Sequence, residues 1–214
     1  MKKLLIIGIV SLLSATMAMA EQVVVQTKNI TLVLDVNNGK QPTYVYFGSK
    51  LNANELGHLQ YPTNGRMEVY PAHGLNTPAE DALAMRHIDG NMSTALVATG
   101  VENTEEAHAT VTTIHTKDVV YPINVDIKYR AYKDVDMIET WTEITNNEKG
   151  TVTLTTFASA CLPIRRGEVW LSHLWGSWAN EGRLTEELLE PGQKIIKNKD
   201  GTRNSHTDHA EVMF

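Results

Sequence analysis

The sequence predicts an all-β protein built from two packed antiparallel sheets. Short segments alternate between apolar and polar side chains, as strands with one buried face do. Turn sequences such as Asn38-Gly39 separate these segments, and no long 3.6-residue periodicity competes with them. Because the chain also lacks an internal linker, repeat or low-complexity stretch, we predict one β-sandwich domain over residues 21–214.

Residues 1–20 have the pattern of a secretory signal peptide. Two lysines precede an apolar run, and Ala18 and Ala20 are the small residues of a cleavage site. The apolar run, residues 4–13, is much shorter than the roughly 20 residues of a membrane-spanning helix. The sequence therefore predicts an exported protein, periplasmic or extracellular, with no membrane association after cleavage.

Charge and cysteine content exclude several classes of partner and cofactor. The chain has 19 Lys and Arg against 25 Asp and Glu, and loss of Lys2 and Lys3 with the signal peptide makes the balance more acidic still. Such a protein has no electrostatic attraction for nucleic acid or anionic lipid. Cys161 is the only cysteine, so an intrachain disulfide and a cysteine metal site are excluded. We predict no cofactor.

The first half of the chain contains two pairs of predicted strands. In each pair a glycine that tolerates positive φ supplies the turn. The pairs are residues 30–36 and 43–47 around Asn38-Gly39, and residues 82–88 and 93–99 around Asp89-Gly90. Both pairs are expected to form hairpins.

The second half predicts an antiparallel meander. Residues 123–131 (INVDIKYRA) alternate strictly, with the apolar set on one face and the charged set on the other. Short polar turns lead to residues 136–145 and then to residues 151–160. We expect three consecutive strands that pair in order. Residues 185–190 (TEELLE) are the one helical candidate, of about a turn and a half or a loop, and residues 211–214 begin a further strand.

The stretch WLSHLWGSWANEGR, residues 170–183, is the densest candidate for binding chemistry. It contains three of the four tryptophans, with His173, Glu181 and Arg183 among them. Flat indole faces suit the apolar faces of sugar rings, and the polar side chains supply hydrogen bonds to hydroxyls. The alternative interpretation is that the tryptophans fill a core or an interface. Both interpretations are open at this stage.

Two other features are weaker candidates for a binding or metal site. Residues 70–74 (YPAHG) form a compact motif whose Tyr and His either face a ligand or hold a loop. His173, His206 and His209 raise the question of a metal, but their spacing is not that of a helical His-x-x-x-His pair. We predict no metal site, and nothing in the chain stands out as a nucleophile.

Several stretches, in order, resemble the N-terminal domain of glycoside hydrolase family 36 α-galactosidases. The resemblance covers residues 23–214, and HLWGSWANE and GTRNSH are its most specific parts. The other stretches are YPAHG, INVDIKYRAY, DMIETWTEITN, FASACL and LEPGQKII. It implies an antiparallel β-supersandwich related to the galactose mutarotase fold, in agreement with the all-β prediction.

The resemblance also implies where the chemistry is. In that family a (β/α)8 barrel follows the sandwich and carries two aspartates that cleave α-galactosides with retention. The present sequence has no alternating strand and helix pattern for such a barrel, so no catalytic residue is assigned. The family's domain often occurs in oligomers and helps to shape the mouth of the site. Trp175, Trp178, Arg183 and His206 are the candidates for that role in substrate binding.

Four hypotheses follow for the chain. The first is the non-catalytic, C-terminally incomplete sandwich of an exported α-galactosidase, inactive without the missing catalytic barrel; a homo-oligomer is one of its expected forms. The second is a stand-alone sugar-binding module. The third is a mutarotase-like aldose epimerase, in which His173 and Glu181 move a proton. The fourth is a fragment that does not fold stably alone, because residues 211–214 break off as a strand begins.

Overall fold

The computed structural model describes residues 21–60, 67–74, 80–164 and 167–197, and the backbone of residues 208–213. The chain divides into two compact units, the first ending at Pro163 and the second beginning at Ile164. The strands are β1 (Glu21–Gln26), β2 (Ile30–Val36), β3 (Thr43–Ser49), β4 (Leu83–Arg86), β5 (Leu96–Glu105), β6 (Ala109–Asp118), β7 (Ile123–Tyr132), β8 (Ile138–Asn146), β9 (Thr153–Phe157), β10 (Trp170–Ser177), β11 (Asn180–Leu188) and β12 (Asp208–Met213). The single domain over residues 21–214 stays a prediction.

The described residues of the first unit form three antiparallel sheets. Their orders are β1-β2-β3, β5-β6-β7-β8 and β4-β9. Apolar side chains from all three sheets share one core, among them Val25, Leu34, Leu83, Ile114 and Val125. The all-β, antiparallel fold class is thereby confirmed.

Strand β7 shows why the alternation in the sequence was informative. Its apolar residues, beginning with Ile123 and ending with Ala131, are all buried, while the charged residues between them are not. In the centre of the strand, the hydroxyl of buried Tyr129 lies 2.9 Å from that of Tyr44 on β3.

The β2–β3 hairpin is also confirmed, and Gly39 adopts φ +77° in its turn.

The predicted meander is wrong at its third strand. Strands β7 and β8 pair as expected, but β9 pairs with β4 rather than with β8. The turn after β8 is also attached to the end of β4, since the Glu148 carboxylate accepts hydrogen bonds from His87 Nδ1 (2.7 Å) and Ile88 N (3.1 Å). These contacts hold the turn beside the end of β4, so the chain enters β9 next to that strand.

The second predicted hairpin also has different partners. Gly90 adopts φ +88° and donates its N–H to the carbonyl of His87 at 2.9 Å, so the expected turn is present. Strand β4 pairs with β9, however, and β5 pairs with β6. The Asp89-Gly90 turn therefore passes the chain from one sheet to another.

The helix of the first unit is short and was not predicted. It spans Ala53–Leu56 and is held by a capping box between Asn52 and Glu55.

Within the part of the chain that the structure describes, no helix is long and apolar enough to cross a membrane. Among the same residues, no group of three or more His, Cys, Asp or Glu side chains is placed to hold a metal ion.

The second unit is a three-stranded antiparallel sheet in the order β11-β10-β12. The helix predicted at residues 185–190 is wrong, because residues up to Leu188 belong to β11. A turn and a half of helix has little stability of its own, whereas residues 185–188 gain backbone hydrogen bonds to β10 as part of the β11 edge strand. The strand predicted at residues 211–214 is present as far as Met213, as part of β12, which pairs with β10; Phe214 lies outside the described residues. The expected incompleteness of the sandwich stays a prediction.

Candidate functional site

The tryptophan-rich stretch forms the β10–β11 hairpin, with Trp178 at its tip. Ser177 pairs with Asn180, which leaves Trp178 and Ala179 as a two-residue turn. Ala179 adopts φ +57°, the left-handed conformation that such tight turns require. The Trp178 side chain is 80% exposed, so the turn presents an indole ring to solvent.

Trp175 and Arg183 form a cross-strand pair beside this tip. They are direct partners in the antiparallel register, and the guanidinium carbon lies 6.0 Å from the centre of the Trp175 ring. Arg183 Nε also donates a hydrogen bond of 2.6 Å to Asn180 Oδ1. The guanidinium is thus anchored at one edge, and its remaining N–H groups can donate to a ligand hydroxyl.

The inner part of the hairpin is built differently. Leu171 and His173 are buried, which follows from the alternation of side chains along β10. The alternation breaks at Trp175, where the register shifts in both pairings of β10. This irregularity leaves Trp175 38% exposed rather than buried.

The arrangement suits recognition of a neutral polyhydroxylated ligand. Two exposed indoles offer apolar faces, and the anchored Arg183 offers directed donors. The sequence alone did not identify Asn180, whose side chain accepts a hydrogen bond from Arg183. The role of Asn180 follows from the turn at residues 178–179, which places it on the same strand as Arg183. Trp170, 55% exposed at the start of β10, is the third accessible indole of the hairpin.

The predicted site residues are thus partly assembled. Trp175 and Arg183 are brought together, and Trp178 lies on the turn that joins their strands. His206 lies outside the described residues, so its predicted role stays a prediction, as does the role of the other three. His173 and Glu181, the pair considered for an epimerase, are not brought together. His173 lies opposite Thr185, four residues along β11 from Glu181, a separation of roughly 13 Å along the strand.

Residues 40–214 match the family model of the glycosyl hydrolase family 36 N-terminal domain. The chain belongs to this family. No curated protein is significantly similar to it in sequence. The resemblance on which the sequence analysis relied is thereby confirmed.

Solved structures of α-galactosidases share the fold. The galactosidase domain of the α-galactosidase-sucrose kinase AgaSK is 22% identical, with a TM-score of 0.77 over 88% of this chain. The α-galactosidase AgaA of Geobacillus stearothermophilus, solved as a variant with stachyose, is 16% identical, with a TM-score of 0.79 over 90% of the chain. The α-galactosidase of Lactobacillus brevis is 15% identical, with a TM-score of 0.69 over 81%. The present chain covers 31%, 31% and 28% of these three, which is less than a third of their lengths.

Proposed function

We propose that this chain is the non-catalytic N-terminal β-sandwich of an exported, retaining α-galactosidase that acts on terminal α-galactosides of oligosaccharides. The observation that carries the proposal is the family match over residues 40–214, in a domain that covers about a third of α-galactosidase chains. Solved relatives were crystallised with raffinose and stachyose, which supports oligosaccharides as the substrate class.

The family resemblance implies how the work is divided. Hydrolysis with retention uses two carboxylates roughly 5 to 5.5 Å apart, one as nucleophile and one as acid and base. These belong to the family's barrel, so the sandwich contributes to binding and not to bond cleavage. Trp175, Trp178, Arg183 and His206 would line the approach to that site. The partner of the sandwich is then the barrel of the same polypeptide.

Export is a separate part of the proposal. It is supported by the charged start, apolar run and Ala18-x-Ala20 ending of the first twenty residues. Processing is tested by N-terminal sequencing of the protein recovered from the host. A mature N-terminus at Glu21 is expected, and an intact N-terminus retained in the cell contradicts export.

The enzyme proposal is tested on the coding sequence downstream of the Phe214 codon, read in all three frames. A barrel sequence is expected there, and the longer polypeptide should hydrolyse raffinose and nitrophenyl α-galactoside. Proton NMR of the first product should show the α-anomer of galactose, as retention requires. A β-anomer as first product contradicts retention, and no barrel sequence in any frame contradicts the enzyme.

The longer polypeptide also tests the hairpin. If the hairpin lines the approach to the site, Trp178→Ala should raise the KM for stachyose by about tenfold and leave kcat unchanged, because one stacking contact is lost. Trp170→Ala is the matched control, since Trp170 is an exposed indole away from the turn. Equal kinetic effects of both changes contradict a specific role for Trp178.

A stand-alone sugar-binding module is the second candidate, favoured by the exposed Trp178 and the Trp175–Arg183 pair. Calorimetry of the present chain with galactose and raffinose tests it. Heat that saturates at millimolar sugar supports a module, and absence of heat removes this candidate. The epimerase alternative has no such support, because His173 and Glu181 lie far apart along the hairpin; polarimetry of anomer interconversion is its direct test.

A further inference from the structure

The outward face of the four-stranded sheet in the first unit carries a basin that the proposed function does not use. Along β7, Asp126, Lys128 and Arg130 alternate with the buried apolar residues and therefore occupy the opposite face of the sheet. Side chains from β5, β6 and β8 join them around an open basin of about 430 Å³. Its aromatic residue is Trp141, on the edge strand β8.

Trp141 is held in one orientation by its neighbours. It lies directly opposite Lys128 in the register, with the Lys128 ammonium 5.9 Å and the Arg130 guanidinium carbon 4.9 Å from the ring centre. The indole N–H donates a hydrogen bond of 3.1 Å to Glu143 Oε1. A positioned indole in a concave polar setting is the arrangement with which proteins bind sugar rings.

The two permanent cations of the basin, Lys128 and Arg130, are already paired with carboxylates. Lys128 contacts Glu143 at 2.8 Å, and Arg130 contacts Glu139 at 2.7 Å. His115 lies between two carboxylates, at 2.9 Å from Asp126 and 3.6 Å from Glu102. The pairing lowers the pKa of Glu143, chiefly through its hydrogen bond from Lys128.

This pairing indicates the class of ligand. An anion would have to displace a carboxylate from Lys128 or Arg130 to enter, whereas hydroxyl groups can accept from these cations and donate to the carboxylates around them without displacing either. The volume lies within the range of small-molecule sites. We propose that the basin around Trp141 is a second, non-catalytic binding site for a neutral oligosaccharide.

The proposal is independent of the hairpin and of the enzyme to which the chain is assigned. The basin lies in the first unit, whereas the hairpin lies in the second. Its test therefore uses the present chain and reads binding at one residue. Failure of the α-galactosidase assay on the longer polypeptide leaves the test of the basin unaffected.

The four tryptophans provide the readout, because each indole N–H gives one signal in a nitrogen–proton NMR spectrum. Raffinose and stachyose are the neutral probes, and digalacturonic acid is the anionic one. We expect the Trp141 signal to shift and saturate at millimolar neutral sugar. Trp141→Ala, which also assigns the signal, should raise the Kd at this site by about tenfold or more in sugar-observed saturation-transfer experiments.

Two further variants separate binding from folding. Trp170→Ala is the matched control, since it removes an exposed indole outside the basin; the Trp141 shift should persist in it. Thr104→Tyr narrows the basin from β5, at the opposite edge of the sheet from Trp141, and it should weaken the shift while the protein remains folded. A basin site requires both results.

The outcomes that overturn the proposal are distinct. If neutral sugar moves only the indole signals of the hairpin, the basin is not the sugar site. If digalacturonic acid shifts Trp141 and raffinose does not, the ligand class is wrong. If no indole signal moves at 50 mM sugar, or Thr104→Tyr leaves the shift intact, the basin is a solvated face of the sheet.

Discussion

Glu148 is the residue through which the fold can be tested most directly. Its side chain is 3% exposed and that of His87 is 0% exposed, and Nδ1 of His87 lies 2.7 Å from the carboxylate. Because an ionised carboxylate only accepts hydrogen bonds, Nδ1 must carry the proton. The other ring nitrogen of His87 lies 3.1 Å from the Thr94 hydroxyl, and the ring stacks on Tyr121 with centroids 3.6 Å apart.

Glu148→Ala should lower the free energy of unfolding by about 3 kcal/mol. The change leaves two donors, His87 Nδ1–H and the Ile88 N–H, without their acceptor. A buried donor left without its acceptor costs about 1–3 kcal/mol, and the cost is at the upper end when the lost acceptor is charged. For a chain of this length the loss corresponds to a fall in Tm of roughly 10 °C.

Thermal unfolding followed by circular dichroism is the measurement, with Glu105→Ala as the matched control. Glu105 pairs with Lys133 at 2.8 Å, but its side chain is 68% exposed, so solvent screens this pair and its removal should cost much less stability than that of Glu148. Equal losses for the two variants would refute the reasoning that burial makes the Glu148 contact important. A loss below about 1 kcal/mol for Glu148→Ala would refute the contact itself.

Three further predictions test the core, the turn and the pH response. Leu83→Ala, at a fully buried position, should lower the free energy of unfolding by about 3 kcal/mol in urea titrations, and a loss below about 1 kcal/mol contradicts the packing described. Ala179→Gly should raise the stability of the hairpin by up to about 1 kcal/mol, measured by hydrogen exchange of its amides, because glycine relieves the positive φ; a loss contradicts that conformation. Burial raises the pKa of Glu68 above 4.5, and its Oε2 has no hydrogen-bond partner among the residues that the structure describes. The protonated form is therefore favoured on folding, so its contribution is fully present below pH 4.5 and is lost as the pH rises through the folded-state pKa. Glu68→Gln should lose less stability than the parent between pH 4.5 and 7 in urea titrations, and parallel pH profiles contradict this.

The sequence was informative about the strands that pair with close neighbours along the chain. The alternation over residues 123–131 was sufficient to predict β7 and its buried face, since a period of two has one structural solution when one face is apolar. The β2–β3 hairpin followed from Asn38-Gly39 for a similarly local reason. Both predictions depend on short-range physics alone.

Pairings between distant strands could not be predicted in this way. The partnership of β4 with β9 goes with long-range contacts such as that of Glu148 with His87, which no local pattern in either strand indicates. Residues 185–190 misled because Glu and Leu favour helix intrinsically, while the neighbouring strand decided the outcome. The helix at Ala53–Leu56 was detectable, since Asn52 and Glu55 have the spacing of a capping box.

The two candidate sites show the same difference between what local sequence patterns predict and what depends on contacts between strands. Trp175, Trp178 and Arg183 were selected from composition and resemblance, but the cross-strand contact of Trp175 with Arg183 required the register of the hairpin. The basin was not predicted, although its charged β7 residues had been placed on an outward face. What turned that face into a candidate site was Trp141 on β8, opposite Lys128 in the register.

The pairing of β4 with β9 has a consequence for how the chain acquires its structure. The two strands are roughly 70 residues apart, and the whole β5–β8 meander lies between them. During synthesis β4 emerges long before its partner, and its buried Leu83 and Met85 must wait while the locally connected strands form first. Closure of the β4–β9 ladder is then the late event of folding in the first unit, and until it occurs β4 is an open edge that can pair with a wrong strand.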